Sequence, residues 1–173
     1  MKQNIFMKKA GFTLIELLIV IALLGALAVG LIGALDPFEQ LKKGTDTSTR
    51  DLVNQVQTGV IRYYSIKNNM PWCPTGTGCV ADPSGTDLST APMVASVSEM
   101  VNAGELKSDF TTIQAAKLGK IFVTGSQTNN FVSVCYKPTS KSFAADPNTK
   151  YTKLGALDAT NCPGGVACYW CIQ

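Results

Sequence analysis

Residues 12–35, FTLIELLIVIALLGALAVGLIGAL, are an unbroken apolar run that carries one charge, Glu16. As a helix this run is ~36 Å long at ~1.5 Å per residue, which crosses the ~30 Å hydrocarbon core of a bilayer with some tilt. Residues 1–11 hold Lys2, Lys8 and Lys9 and no acid, so the excess of positive charge predicts that the N-terminal end stays in the cytoplasm. A secretory signal peptide would have a shorter apolar stretch, ~7–15 residues, and a small-residue cleavage site after it. Here Asp36-Pro37 follows the run instead. The plain reading is a single span that tethers an outer domain, and Glu16 does not fit it. A carboxylate in lipid costs ~2.5 kcal/mol or more near the bilayer centre, and such a charge is kept where it finds a partner. Lys9 is badly placed along a helix to be that partner. A new α-amino group, made by cutting just before the apolar run, is better placed.

The sequence Lys8-Lys9-Ala10-Gly11-Phe12-Thr13-Leu14-Ile15-Glu16-Leu17 resembles the class III leader of type IV pilins and type II secretion pseudopilins. That pattern is a short basic leader ending in Gly, then Phe, then Glu at the fifth mature position, then a long apolar run. The resemblance covers residues 8–35 closely and the next helix loosely. It implies that a prepilin peptidase cuts between Gly11 and Phe12, that Phe12 is N-methylated, and that Glu16 pairs with a Phe12 amine and so sets the register of assembly. It also implies a structural subunit, not an enzyme, that polymerises with itself and with other pilins on an assembly platform driven by an ATPase. The chain would sit in the inner membrane as a single pass and later in a surface filament. A pseudopilin of a secretion system, or a minor pilin, is the alternative within the class. A membrane-tethered extracellular binding domain is the remote one.

Composition narrows the chemistry further. The 173 residues are enough for one domain with an appendage, and only 16% are charged, against ~25% in a typical soluble domain. There is no histidine, which excludes Ser-His-Asp and Cys-His catalysis and any His metal ligand. The net charge of +3 is too small to argue for nucleic acid by itself, and no specific nucleic-acid partner is expected. Cutting after Gly11 removes Lys2, Lys8 and Lys9, leaving 12 of the 15 basic side chains against 12 acidic ones. The basic leader is therefore a topology signal and not a ligand site.

Beyond the span, Asp36-Pro37 looks like a helix start, with Asp36 as N-cap. Phe38, Leu41, Thr45, Thr49, Val53, Val56, Val60, Tyr63 and Tyr64 follow at helical spacing, flanked by Leu52 and Ile61. Asn68-Asn69-Met70-Pro71 ends this second helix. One helix over 12–69 would be ~87 Å long, and we expect it to loosen between Gly30 and Pro37 in an assembled filament. Many type IV pilins have a proline where this chain has Gly33. Residues 72–91 read as an ordered loop and 92–103 as a helix stopped by Gly104. Residues 120–124, 131–137, 142–145 and 166–172 read as strands. The fold class is α+β: a long N-terminal transmembrane helix continues into a small globular domain with an antiparallel sheet, the pilin lollipop. The expected segments are the leader 1–11, the membrane and assembly helix 12–35, the amphipathic helix 36–69 and the disulfide-containing domain 70–173.

Cys73, Cys79, Cys135, Cys162, Cys168 and Cys171 all follow the span, which fits an oxidising compartment, and they allow 15 pairings. Our expectation is Cys73–Cys79 and Cys162–Cys168 as local loops, with Cys135–Cys171 tying two strands. A zinc site from Cys135, Cys162, Cys168 and Cys171 is the rival use, and a redox Cys168-Tyr-Trp-Cys171 is another. Both are weak patterns, so no metal and no cofactor is expected. Asp146, Asn148 and Asp158 lack calcium-loop spacing and read as solvated loop residues. Tyr63, Tyr64 and Trp72 read as core or loop anchors. Lys137, Lys141, Lys150 and Lys153 form at most a scattered basic edge.

Overall fold

The computed structural model describes residues 11–34, 36–73, 81–162, 165 and 167–173. Leader residues 1–10 and Cys79, with the expected Cys73–Cys79 pair, lie outside the described residues. The chain divides into two compact units, one ending at Phe38 and the other covering Glu39–Gln173.

The first unit contains α1, Leu14–Ala34. Its stretch Leu14–Gly33 is long and apolar enough to cross a membrane, and its large side chains are exposed throughout, from Leu14 to Ile32. Helical hydrogen bonding closes every backbone group between its ends, which is the condition lipid imposes on a spanning segment. The helix ends at Ala34, Asp36 is not helical, and α2 begins at Pro37 and runs Pro37–Lys67. A break at this point follows from proline, which lacks the N–H needed inside a helix but fits its first turn. At the far end Asn68 takes φ +55°, the left-handed geometry that terminates a helix.

The second unit builds its core on one face of α2. Asp46, Thr49, Leu52, Val53, Val56, Gln57, Gly59, Val60 and Tyr63 are buried along that face. The three upper members of the expected stripe, Phe38, Leu41 and Thr45, are exposed, so burial begins at Asp46, about two and a half turns down the helix. Four antiparallel strands form one sheet in chain order: β1 Thr86–Asp87, β2 Ile121–Ser126, β3 Phe131–Tyr136 and β4 Trp170–Ile172. The central hairpin pairs Ile121 with Tyr136 and Ser126 with Phe131. Ile121, Val123, Val134 and Tyr136 belong to the same buried cluster as Val53, Val56 and Val60. At about 25 cal/mol per Å² of apolar surface removed from water, this shared burial is the main force holding α2 to the sheet. Helix α3, Ala91–Asn102, adds Met93, Val97 and Met100 to the core, and Gly104 ends it at φ +80°. Trp72 packs so closely on β2 that a Cβ at Gly125 would lie 2.4 Å from its Cζ2; only glycine fits there.

Three parts of the sequence reading need correction. Residues 72–91 were expected as loop only, yet β1 lies within them. Two four-residue helices, α4 Phe110–Ile113 and α5 Ala115–Leu118, precede β2 and were not expected. Residues 142–145 were expected as a strand, but α6, Lys141–Ala144, is helical and Ser140 Oγ accepts from the Phe143 amide at its start.

The reason lies in α2. The buried Asp46 carboxylate accepts from the Thr139 amide at 3.0 Å, the Thr139 hydroxyl at 2.9 Å, the Ser140 amide at 2.8 Å and the Ser140 hydroxyl at 2.7 Å. The Lys141 amide donates to Glu39. These amides are therefore spent on α2 and cannot pair with a strand. One helical turn beyond, Arg50 donates to Asp146 Oδ2 at 2.7 Å and to the Tyr136 hydroxyl at 3.1 Å. Its guanidinium carbon lies 4.2 Å from the Phe143 ring centroid and 4.8 Å from that of Trp170. Asp146 is thus an ion-pair partner rather than a solvated loop residue. The Arg50 bond holds its carboxyl below the usual aspartate range, while burial pushes the Tyr136 phenol up to about 12 against the opposing pull of Arg50.

Candidate functional site

Gly11, Phe12 and Thr13 precede α1, and Phe12 is 83% exposed. Thr13 and Glu16 close a reciprocal capping box. The Glu16 carboxylate accepts from the Thr13 amide at 2.9 Å and from its hydroxyl at 2.7 Å, both at Oε2. In return the Glu16 amide donates to Thr13 Oγ1 at 3.3 Å. A carboxylate in the first turn also meets the positive end of the helix dipole. The acid that stands out in the apolar run therefore has a partner within its own chain, one turn away. Thr13 was missed as a site residue. Its signal was the T-x-x-E spacing immediately before an apolar run, which is a helix start by itself.

This arrangement sets what cleavage at Gly11 would do. The Phe12 amine is one residue from the Thr13 amide that Glu16 already binds. A positive amine released there enters a site where the carboxylate is held in place, and the pair needs little further ordering.

The cysteines form a separate, structural set. Cys135 is bonded to Cys171 and Cys162 to Cys168, and Cys73 is disulfide-bonded. Cys135 and Cys171 face each other in the register of β3 and β4. Thiols in disulfides are not zinc ligands, and Cys168 and Cys171 are each bonded outside their Cys-Tyr-Trp-Cys motif. Tyr63 and Trp72 are buried and Tyr64 is partly buried against the core. Asp158 accepts from the Asn161 side chain and amide, which lower its pKa. Of the lysines, Lys150 lies 5.9 Å from the Tyr151 ring centroid and Lys153 lies 4.4 Å from that of Phe122.

An apolar helix long enough to cross a membrane, opened by a Thr-Glu box and followed in the chain by a disulfide-bonded α+β unit, fits a membrane-anchored class of protein. Residues 6–32 match the prokaryotic N-terminal methylation motif. That motif is the class III prepilin leader, and with it the chain carries the signature of type IV pilins and pseudopilins. The motif is a structural one and not that of an enzyme family. It implies processing by a prepilin peptidase and polymerisation with pilins in general. No curated protein and no solved structure matches this chain.

Proposed function

We propose that this chain is a prepilin whose mature form is a structural, non-enzymatic subunit of a type IV pilus or a related surface filament. It inserts in the inner membrane with its N-terminus in the cytoplasm. Prepilin peptidase cuts between Gly11 and Phe12, and Phe12 is N-methylated, which keeps its amine basic. The mature chains then leave the bilayer as their apolar helices pack side by side on an assembly platform powered by an ATPase.

The observation that carries this reading is a coincidence in one stretch of chain. The methylation motif falls on a helix whose large apolar side chains are exposed among the described residues. In the filament the Phe12 amine of a neighbouring copy pairs with Glu16, which exchanges or shares its bonds to Thr13. Two opposite charges in a water-poor interior attract strongly and each alone is costly, so a copy in the wrong register is rejected. A polar residue at a coiled-coil seam selects register in the same way. The exposed Phe38 and Leu41 at the top of α2 extend the surface open to neighbouring stems.

The test is intact mass and N-terminal sequencing of filaments sheared from cells. The material begins at N-methyl-Phe12. Assembled subunits that retain residues 1–11 would rule out the reading. The abundance of the chain in that material separates a major pilin from a minor pilin or a pseudopilin.

A further inference from the structure

A groove of about 310 Å³ opens on the globular unit between the start of β2 and the end of β3. Its floor is apolar and aromatic: Phe122, Pro138 and Tyr169, with the Phe122 and Tyr169 rings edge to face at 5.7 Å and 83°. Its rim is cationic. Lys120 and Lys137 line it from opposite strands and are exposed. A third cation, Lys153, reaches the same floor from the loop that precedes β4, with Nζ 4.4 Å from the Phe122 ring centroid. Among the described residues, no acidic or amide side chain lines the groove. Asp87, opposite Phe122 in the register of β1 and β2, accepts from the amide of Ser89 at 3.1 Å and from its hydroxyl.

We propose that this groove binds single-stranded nucleic acid without sequence preference, with phosphates at Lys120, Lys137 and Lys153 and a base on the Phe122–Tyr169 floor. Charge complementarity requires an anion, and the floor requires that the anion also carry a flat ring. A base stacked on an aromatic side chain outweighs an exposed cation–π contact, so a base can take the place of Lys153 on Phe122 and free that ammonium for a phosphate. Acidic polysaccharides share the charge. Among the described lining residues, however, the side-chain acceptors for sugar hydroxyls are the hydroxyls of Thr139 and Tyr169, with no carboxylate or amide beside them, which favours a base over a sugar. The same lack of amides and arginines leaves nothing to read base edges, hence the absence of sequence preference. The inference does not depend on polymerisation.

The test uses the full-length chain in a non-ionic detergent and a fluorescent oligothymidylate, with binding followed by anisotropy at several salt concentrations. Three lysine–phosphate contacts give a slope of log affinity against log salt of about −2 on a single strand. Lys120→Gln with Lys137→Gln brings the slope to about −0.7. Tyr169→Leu weakens binding roughly 5- to 150-fold and leaves the slope unchanged, and Tyr169→Phe restores it. Thermal melting confirms that each variant is folded. Absence of binding at about 50 mM salt, or an unchanged slope in the double glutamine variant, overturns the proposal. So does displacement of the oligonucleotide by polyuronate at equal charge concentration, which assigns the groove to acidic polysaccharide.

Discussion

Leu31 and Val53 are similar side chains on consecutive helices, yet Leu31 is 65% exposed and Val53 is wholly buried. The contrast holds for the whole of the two units. In residues 39–173 the apolar face of α2, the sheet and α3 cover one another, and three cysteine pairs or half-pairs, two clasping carboxylates and an arginine sandwich close what hydrophobic burial begins. In α1 the apolar groups are all on the outside, and the one polar side chain is tied to its own N-terminal turn. The globular unit carries the partners for its fold within itself. The N-terminal helix shows no such cover among the described residues, and on the proposed function lipid and then other copies would supply it.

The sharpest way to break the comparison is Glu16→Gln. It leaves membrane insertion and the melting of the globular unit unchanged and lowers the yield of sheared filaments about a hundredfold, the size expected from losing ~3 kcal/mol of a buried charge pair. A normal yield would remove Glu16 from the register role.

A smaller effect, confined to the other unit, is expected for Asp46→Ala. It strips the partners from two buried amides and two hydroxyls and costs about 3 kcal/mol, or roughly 10 °C in the melting temperature. Unchanged melting would show that the segment after β3 does not depend on α2.

The smallest is Asp146→Asn, which weakens the half-buried Arg50 bond by about 1 kcal/mol. Because Arg50 lowers the Asp146 pKa in the fold, this contribution is present above the ordinary aspartate value of about 3.9 and is lost as pH falls through the lower folded value. Melting curves of wild type and variant therefore run parallel above about pH 4 and converge below it. A gap that persists in acid would mean that the bond contributes by packing rather than by charge.

Legibility in the sequence followed the range of the forces involved. Both long helices, α3 and the β2–β3 hairpin could be read because periodicity, proline, glycine and asparagine act within a few residues. The helix Lys141–Ala144 could not. Its alternation resembles a strand, and what overrides it is a carboxylate 94 positions away, at Asp46. The short α4 and α5 have too few residues for a periodic signal, and β1 has only two. At the membrane end Glu16 stood out as a charge in an apolar run, whereas Thr13 was passed over because a threonine beside phenylalanine looks like part of that run.

The order of residues alone determined a methylation motif over residues 6–32, a helix long and apolar enough to cross a membrane with one acid in it, and a cysteine-rich second half. Each of these is a local property of composition or spacing. Only the tertiary structure decided that Asp46 and Arg50 hold the segment after β3 and that three lysines converge on two aromatic rings. The bonds from Asp46 and Arg50 to that segment join residues 93 to 96 positions apart, and a distant pairing is set by how the core closes, not by any neighbour in the chain.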